Sequence, residues 1–398
     1  MDSPMPFIHD TAQAFMPYPN ADVPSATTGP LSGLNFAAKD LFDVAGYPTS
    51  GGQPFVLAMS GIKSRNAATV DRLLQAGARF VGKTVTDEFA FSMNGQNAHF
   101  GSPINGAVPD RISGGSSSGS ASAVSNGLCD FALGTDTGGS VRAPANHCGL
   151  FGLRPSHGRV SLVGAMDLAP SFDSCGWFTR DIGNFARVAD VLLGSDPQPL
   201  PDPPRLLWPP EVWNLLAPEV RQAQAPAQAR VESVLGPAQL LPEGLFDFEA
   251  MFWNFRYLQS REAWQVDGGL IERFKPPLGH GVAQRFAWSK NVSDQQVAAG
   301  QTFRTQFKSK VLALLGHDGV MLLPTMPDIA PLISQSDTEL EDYRNKATRM
   351  LCIAGLCGLP QLSLPIATRL GAPLGLSLMG PPGSDRSLVS LAERIMAV

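Results

Sequence analysis

Charge is scarce in this sequence: Asp, Glu, Lys and Arg make up 16% of its 398 residues, and the net charge is −5. No run of Lys or Arg interrupts that balance, which excludes a general attraction for nucleic acid. Cysteine is equally sparse. The five residues (Cys129, Cys148, Cys175, Cys352 and Cys357) form an odd, scattered set without a CxxC pair. Neither a disulfide framework nor a zinc site fits them, and they read as small buried hydrophobes of a reducing compartment. No HxxxH spacing appears, so no metal is expected, and no other cofactor is called for. No apolar run reaches the ~20 residues of a membrane-spanning helix. The opening MDSPMPFIHDTAQAF has neither a basic region nor an apolar stretch, so no signal peptide and a cytoplasmic location are expected. There are no internal repeats.

What is present is a large apolar fraction, 43% of the chain, enough for a globular protein with a sizeable core. The length allows two or three domains, or one large α/β domain. The stretch Ser113 to Pro155 stands out. Eleven of the fifteen residues from Ser113 to Gly127 are Gly or Ser, and a second cluster, Gly-Thr-Asp-Thr-Gly-Gly-Ser, occupies 134–140. Glycine accepts positive φ without steric cost, so backbone N–H groups in such loops can turn toward one point. Convergent N–H groups make a cradle for an anion or a developing oxyanion. Ser140, ending the second turn, sits where a nucleophile must be. A flexible Gly/Ser linker is the competing reading. Regular alternation with Ala, Val and Leu, and no Pro before Pro144, argue against it.

Around this stretch the chain alternates between helical and strand patterns. Leu34 to Asp40 reads as a short buried strand with Lys39 at its carboxyl end; by position alone that lysine snorkels to water. Asn66 to Gly77 is an amphipathic helix ended by glycine, and Ala78 to Val81 a strand. Residues 77–84 formally match the phosphate-binding pattern GxxxxGK[ST]. That loop must follow a strand and open a helix, whereas here the intervening residues are the strand, so a nucleotide site is rejected. Helices are expected from Ser116 to Asn126, from Ser140 to His147 and from Asn184 to Leu193. Seven prolines between Asp196 and Pro210 mark an irregular connection. Further helices follow at 219–234, from Ser293 with a Ser293/Gln296 capping box, at 339–357 and at 387–396. Strands are expected at 320–324, 361–365 and 374–379. The order implies a sheet covered on both faces.

The residues GGSSSGSASAV, followed by ALGTDTGGSVRAPANHCGLFGLRPS, resemble the signature of the amidase signature family, serine hydrolases of carboxamides. The resemblance extends to Lys39 with the following DLFDVAGYPTSGG, and to LPQLSLPIA and LGLSLMGPPGSD near the C-terminus. It covers roughly 31–194 and 319–396. It implies an α/β fold, an α/β/α sandwich around one large mixed β-sheet. The corresponding division is a surface segment 1–30 and a single domain 31–398, in which 195–318 is a variable substrate-side region. It implies three catalytic residues: Ser140 as nucleophile, Ser116 as bridging serine behind a cis Gly115–Ser116 peptide, and Lys39 as general base. Thr137, Gly138 and Gly139 would form the oxyanion hole, and Ala90 and Ser92, in DEFAFS, would touch the substrate.

For that chemistry Lys39 must be neutral. Bringing its pKa from about 10.4 to near 7 costs roughly 4–5 kcal/mol, which the apolar strand can supply by desolvation. A Ser-His-Asp triad is the main competitor, but no GxSxG elbow is present, and His147 and His157 read as packed or capping residues. Cys148 reads as a buried cysteine rather than a thiol nucleophile. Arg142 reads as a structural ion pair with Asp136 or, alternatively, a carboxylate clamp. Within the family, GKTVTDEFAFSMNGQNAHFGSPIN is similar to plant-type indole-3-acetamide hydrolases and to the amidase-like domains of chloroplast import receptors. The first similarity implies an amidase acting on aromatic or arylalkyl primary amides. The second implies a catalytically silent protein-binding domain, and a glutaminase-type amidotransferase subunit is a third reading. Presence of Lys39, Ser116 and Ser140, with no tetratricopeptide-like repeat after them, favours the enzyme. The expected partner is a small-molecule amide, with no nucleic acid and no membrane; dimers are common in the family, which allows a homodimer.

Overall fold

Short apolar runs bounded by Gly, Pro and polar residues become the ten strands of one mixed sheet. They are β1 (Asn35–Lys39), β2 (Arg79–Thr84), β3 (Phe131–Thr135), β4 (Phe151–Arg154), β5 (Cys175–Thr179), β6 (Arg205–Trp208), β7 (Gln239–Leu240), β8 (Gly319–Pro324), β9 (Gln361–Arg369) and β10 (Ala372–Met379). The computed structural model describes residues 9–398, so the first eight residues of the expected surface segment lie outside the described residues.

The sheet order is β2-β1-β3-β5-β4-β9-β10-β8-β6-β7. Parallel pairs occupy its two ends, β2-β1-β3 and β8-β6-β7, and the strands between them pair antiparallel. Helices cover both faces, giving the α/β/α sandwich.

Side-chain alternation distributes each strand between two cores. Phe36 and Ala38, Phe131 and Leu133, and Val320 and Leu322 point to one face, where they meet the helices Ala68–Gln75, Ile182–Leu192 and Asp385–Met396. Ala37 and Ala132 point to the other, against the small residues of the helix Ser118–Ser125. Further along that side Met321 and Leu323 pack against Phe255, Leu258 and Ile353, from the helices Phe248–Phe274 and Asp337–Cys357.

Most expected elements are present, with shifted ends. The sequence reading has no counterpart for strands β4 to β7 or for the 27-residue helix Phe248–Phe274. The Ser293/Gln296 capping box closes the start of the helix Asp294–Leu315, with Gln296 N–H donating to Ser293 Oγ at 3.2 Å. The GxxxxGK[ST] match lies in and just before β2, as the rejection requires. Its Lys83 is buried, with Nζ 2.6 Å from the Asp40 carboxylate and donating to Pro48 O at 2.7 Å. Of the N-terminal segment, residues 15–18 run beside β2, where Met16 N–H donates to Lys83 O at 2.8 Å.

Candidate active site

Period-two alternation in β1 sends Lys39 to the same face as Ala37, toward the start of the helix Ser118–Ser125. The lysine does not reach water. It is fully buried, and Nζ donates to Ser116 Oγ at 2.7 Å and to Thr135 Oγ1 at 2.8 Å. Burial pushes its pKa down from 10.5 to about 7, against the opposing pull of the Asp87, Asp173 and Asp136 carboxylates. Thr135, at the end of β3, went unnoticed in the sequence; its role depends on the β1–β3 pairing, which no local pattern announces.

Ser116 reaches Lys39 from a loop in which the Gly115–Ser116 peptide is cis. The Ser116 carbonyl is held by Asp87 N–H and by Thr86 Oγ1, each at 3.0 Å. Gly114 has φ +76°, and a Cβ there would sit 2.7 Å from His147 Nδ1; a Cβ on Gly115 would run into the Asp87 carboxylate. The glycines are therefore demanded by close approach. The helix that follows is small for the same reason: Ser120 Oγ lies 2.7 Å from Thr84 Oγ1 and donates to Leu133 O at 2.8 Å.

The second glycine cluster turns sharply after β3 around a buried carboxylate. Asp136 accepts from Arg142 Nε (3.0 Å) and Nη2 (2.8 Å), from Arg154 Nη1 (3.0 Å) and from the N–H groups of Val141 (3.1 Å) and Arg142 (3.2 Å). Burial alone would raise its pKa, but the Arg142 and then the Arg154 charges overcome it and hold the carboxyl well below its ordinary range. Arg142 is fully buried, and its Nη1 is spent on Leu351 O and Gln361 Oε1. It is the structural ion pair, and the carboxylate-clamp alternative for Arg142 is ruled out.

Around this anchor, Thr137 Oγ1 donates to Asp173 Oδ1 at 2.6 Å. Among the described residues the N–H groups of Thr137, Gly138, Gly139 and Ser140 donate to no protein acceptor. Gly139 has φ +135°, and a Cβ there would run into Leu351. Ser140 is 4% exposed, takes part in no hydrogen bond among the described residues, and precedes the helix Arg142–Cys148 by two residues.

Ser140 and Gly138 open onto a cleft whose lining includes Ala90, Phe91, Ser92, Met93, Phe255, Arg256, Gln259, Arg344, Asn345 and Thr348. Both residues expected to touch substrate, Ala90 and Ser92, lie in this lining. Of the aromatic residues between 251 and 288, only Phe255 reaches it. Arg256, Gln259, Arg344, Asn345 and Thr348 went unnoticed in the sequence, because they come from two helices that meet only in the folded chain.

The competing nucleophiles do not fit the geometry. Burial pushes the Cys148 thiol up to about 12, and the other four cysteines are likewise free and buried. Burial and then the Arg111 charge push His147 down to about 3; its Nε2 is 3.0 Å from Tyr343 Oη. His157 Nε2 is 2.9 Å from Pro170 O. Among the described residues no group of His, Cys, Asp and Glu is arranged to hold a metal ion, and no helix is long and apolar enough to cross a membrane.

The Amidase family model matches residues 8–225 and 265–389. "Amidase 1" of Arabidopsis thaliana is 36% identical over 402 residues, covering 94% of this chain and 95% of that protein. "Outer envelope protein 64, chloroplastic" of the same plant is 32% identical over 94% of this chain, and the match spans 68% of that longer protein. A crystal structure of an amidase superposes with a TM-score of 0.83 at 30% identity, over 93% of this chain and 85% of the other. Sequence and fold agree, and the chain belongs to the amidase signature family of amide hydrolases.

Proposed function

We propose that this chain hydrolyses a small primary carboxamide to carboxylate and ammonia through an acyl-enzyme on Ser140. The observation that carries the reading is the buried Lys39–Ser116 pair, with a lysine pushed down to about 7. A neutral amine at that position can accept the Ser116 proton while Ser116 takes the proton of Ser140. Ser140 Oγ then bonds to the amide carbon, and the carbonyl oxygen becomes an oxyanion beside the unpaired N–H groups of residues 137–140. The tetrahedral adduct collapses as the C–N bond breaks, and Ser116, resupplied from Lys39, returns a proton to the departing nitrogen. Water activated by the same pair attacks the acyl-enzyme and releases the acid. Ala90 and Ser92 are assigned to the substrate-facing wall.

On the acyl side two readings stand: Phe91, Met93 and Phe255 in the lining favour an uncharged aryl or arylalkyl group such as that of indole-3-acetamide, and Arg256 and Arg344 in the same lining favour a negatively charged one. The reading includes a cytoplasmic location and allows a homodimer. A silent protein-binding domain would have no use for a buried lysine held near neutrality. The test is ammonia release from a panel of primary amides, with Ser140→Ala as the blank. Activity in the blank equal to that of the parent would sink the assignment.

A further inference from the structure

Three arginines gather at one wall of the cleft, Arg256 and Arg344 lining it and Arg285 beside them, and the protein gives them almost nothing to bind. Arg256 is on the helix Phe248–Phe274, Arg285 on His280–Ser289 and Arg344 on Asp337–Cys357. Arg256 and Arg344 line the same cleft as Ser140. Among the described residues Arg344 makes one side-chain hydrogen bond, from Nη1 to Glu341 Oε1 at 2.8 Å, and Arg256 and Arg285 make none. Arg285 Nη1 stands 3.9 Å from Glu341 Oε2. The Arg285 and Arg344 side chains are only 13% and 12% exposed, and the Nε of each is buried without a partner. Arg256 lies against the rings of Phe252, Trp253 and Trp288, at 5.3, 5.5 and 4.9 Å from their centroids, which hold it in place but offer no acceptor. Burial and then the Arg344 charge push Arg285 down to about 9, a sign that its surroundings disfavour more positive charge.

Buried donors are normally paired, and an unpaired one costs the full desolvation of its group. Three cations sharing one carboxylate, Glu341, leave the wall with uncompensated positive charge. Asp87 also lies toward Arg285, but its own pKa is raised by burial, which disfavours its ionised form.

We infer that the missing negative charge arrives with the substrate: its acyl group ends in a carboxylate bound by Arg256 and Arg344, with Arg285 behind them. The substrate class is then the monoamides of dicarboxylic acids. This rests on the reading that Ser140 attacks an amide in the same cleft, and of the two acyl sides that the lining allows it takes the charged one. An α-ammonium, as in glutamine or asparagine, would face the same cations and is disfavoured. Neutral amides leave the guanidinium donors unpaired, the situation in which a polar site discriminates most strongly.

The test compares kcat/KM for ammonia release from malonamate, succinamate, glutaramate and adipamate with that from butyramide, phenylacetamide, indole-3-acetamide and glutamine. At least one amidocarboxylate is expected to exceed every other amide by about tenfold or more, the scale of a charge-assisted hydrogen bond. Arg344→Gln should cut that selectivity ratio by about tenfold, chiefly through KM, and Arg256→Gln, on a different helix, should do the same if the first variant fails to fold. A neutral amide or glutamine turned over as well as the best amidocarboxylate would overturn the inference while leaving the amidase reading in place. Calorimetry on Ser140→Ala separates the two further. Succinamate or glutaramate binding more tightly than butyramide, with no amide turned over by the parent, would keep the carboxylate site and overturn the catalytic reading. Equal binding of all three would overturn the site.

Discussion

On the floor of the cleft, Asp136 gathers two arginines and two backbone N–H groups, and Lys39 has two hydroxyl partners. On the opposite wall, the side chains of Arg256 and Arg285 make no hydrogen bond among the described residues. The floor is made of strand ends and glycine turns whose places are fixed by the sheet; the wall is made of side chains on long helices. On the proposed reading, the floor's unpaired N–H groups face the developing oxyanion, and its own charges are matched so that none competes for them. The unmatched wall is where a ligand's charge has somewhere to go. On the proposed reading the comparison separates chemistry from specificity: the floor would serve any amide, and the wall would select one.

The strongest way to break the floor is to remove the atom proposed to form the acyl bond. Ser140→Ala is expected to lower kcat by about 10⁴-fold or more with an unchanged fold, as for nucleophiles that act in a unit. A serine-directed fluorophosphonate should label Ser140 in the parent, and mass spectrometry placing the adduct on another residue would contradict the role. Next in size is the proposed proton acceptor. Lys39→Ala should cost on the order of 10³-fold, and Lys39→Arg should not restore activity, because a guanidinium stays protonated. In the parent, kcat/KM should rise with pH through about 7, as Lys39 loses its proton, and then level off. A flat profile from pH 6 to 9 would point to another base.

The floor can also be broken through its anchor. Asp136→Asn removes the charge between Arg142 and Arg154 while both stay buried. Stranding buried cations in this way is expected to cost about 3–5 kcal/mol, read by denaturant unfolding. A loss below about 1 kcal/mol would mean that the arginines find other partners.

The same division decides what was legible in the sequence. Ser140 stands out through local pattern, a hydroxyl ending a glycine-dense turn, whereas Lys39 and Ser116 stand out only through the family resemblance, since position alone sends Lys39 to water. Arg142 could be paired with Asp136 because the two are close along one turn. Arg154 could not, since it reaches Asp136 from β4, across β5 from β3 in the sheet. Strands as short as β4 carry too little alternation to be found alone. The helix Phe248–Phe274 was invisible for another reason. It packs against the helices Asp294–Leu315, Asp337–Cys357 and His280–Ser289, so apolar residues occupy more than one side and the single stripe expected of a surface helix is blurred. The arginine wall follows from that helix and two others, and no spacing in the chain foretells their meeting.

The smallest effect tests the floor's most costly feature, a lysine kept neutral. In the folded protein Lys39 loses its proton near pH 7; in the unfolded chain it keeps it to 10.5. Between those values the unfolded state binds more protons, so this group makes stability rise with pH across that window, by about 1.4 kcal/mol per pH unit. Below pH 7 both states are protonated and the slope vanishes. Lys83 is also pushed down by burial, partly offset by Asp40, and adds to the parent's slope in the same direction. Replacing Lys39 with methionine, close in volume and without charge, should remove one proton's share and leave that of Lys83. Urea unfolding at pH 7.5, 8.5 and 9.5 should therefore show Lys39→Met gaining about 1.4 kcal/mol less per pH unit than the parent. Parallel curves would mean that Lys39 enters the folded state protonated, and the floor would then lack the base that the proposed chemistry requires.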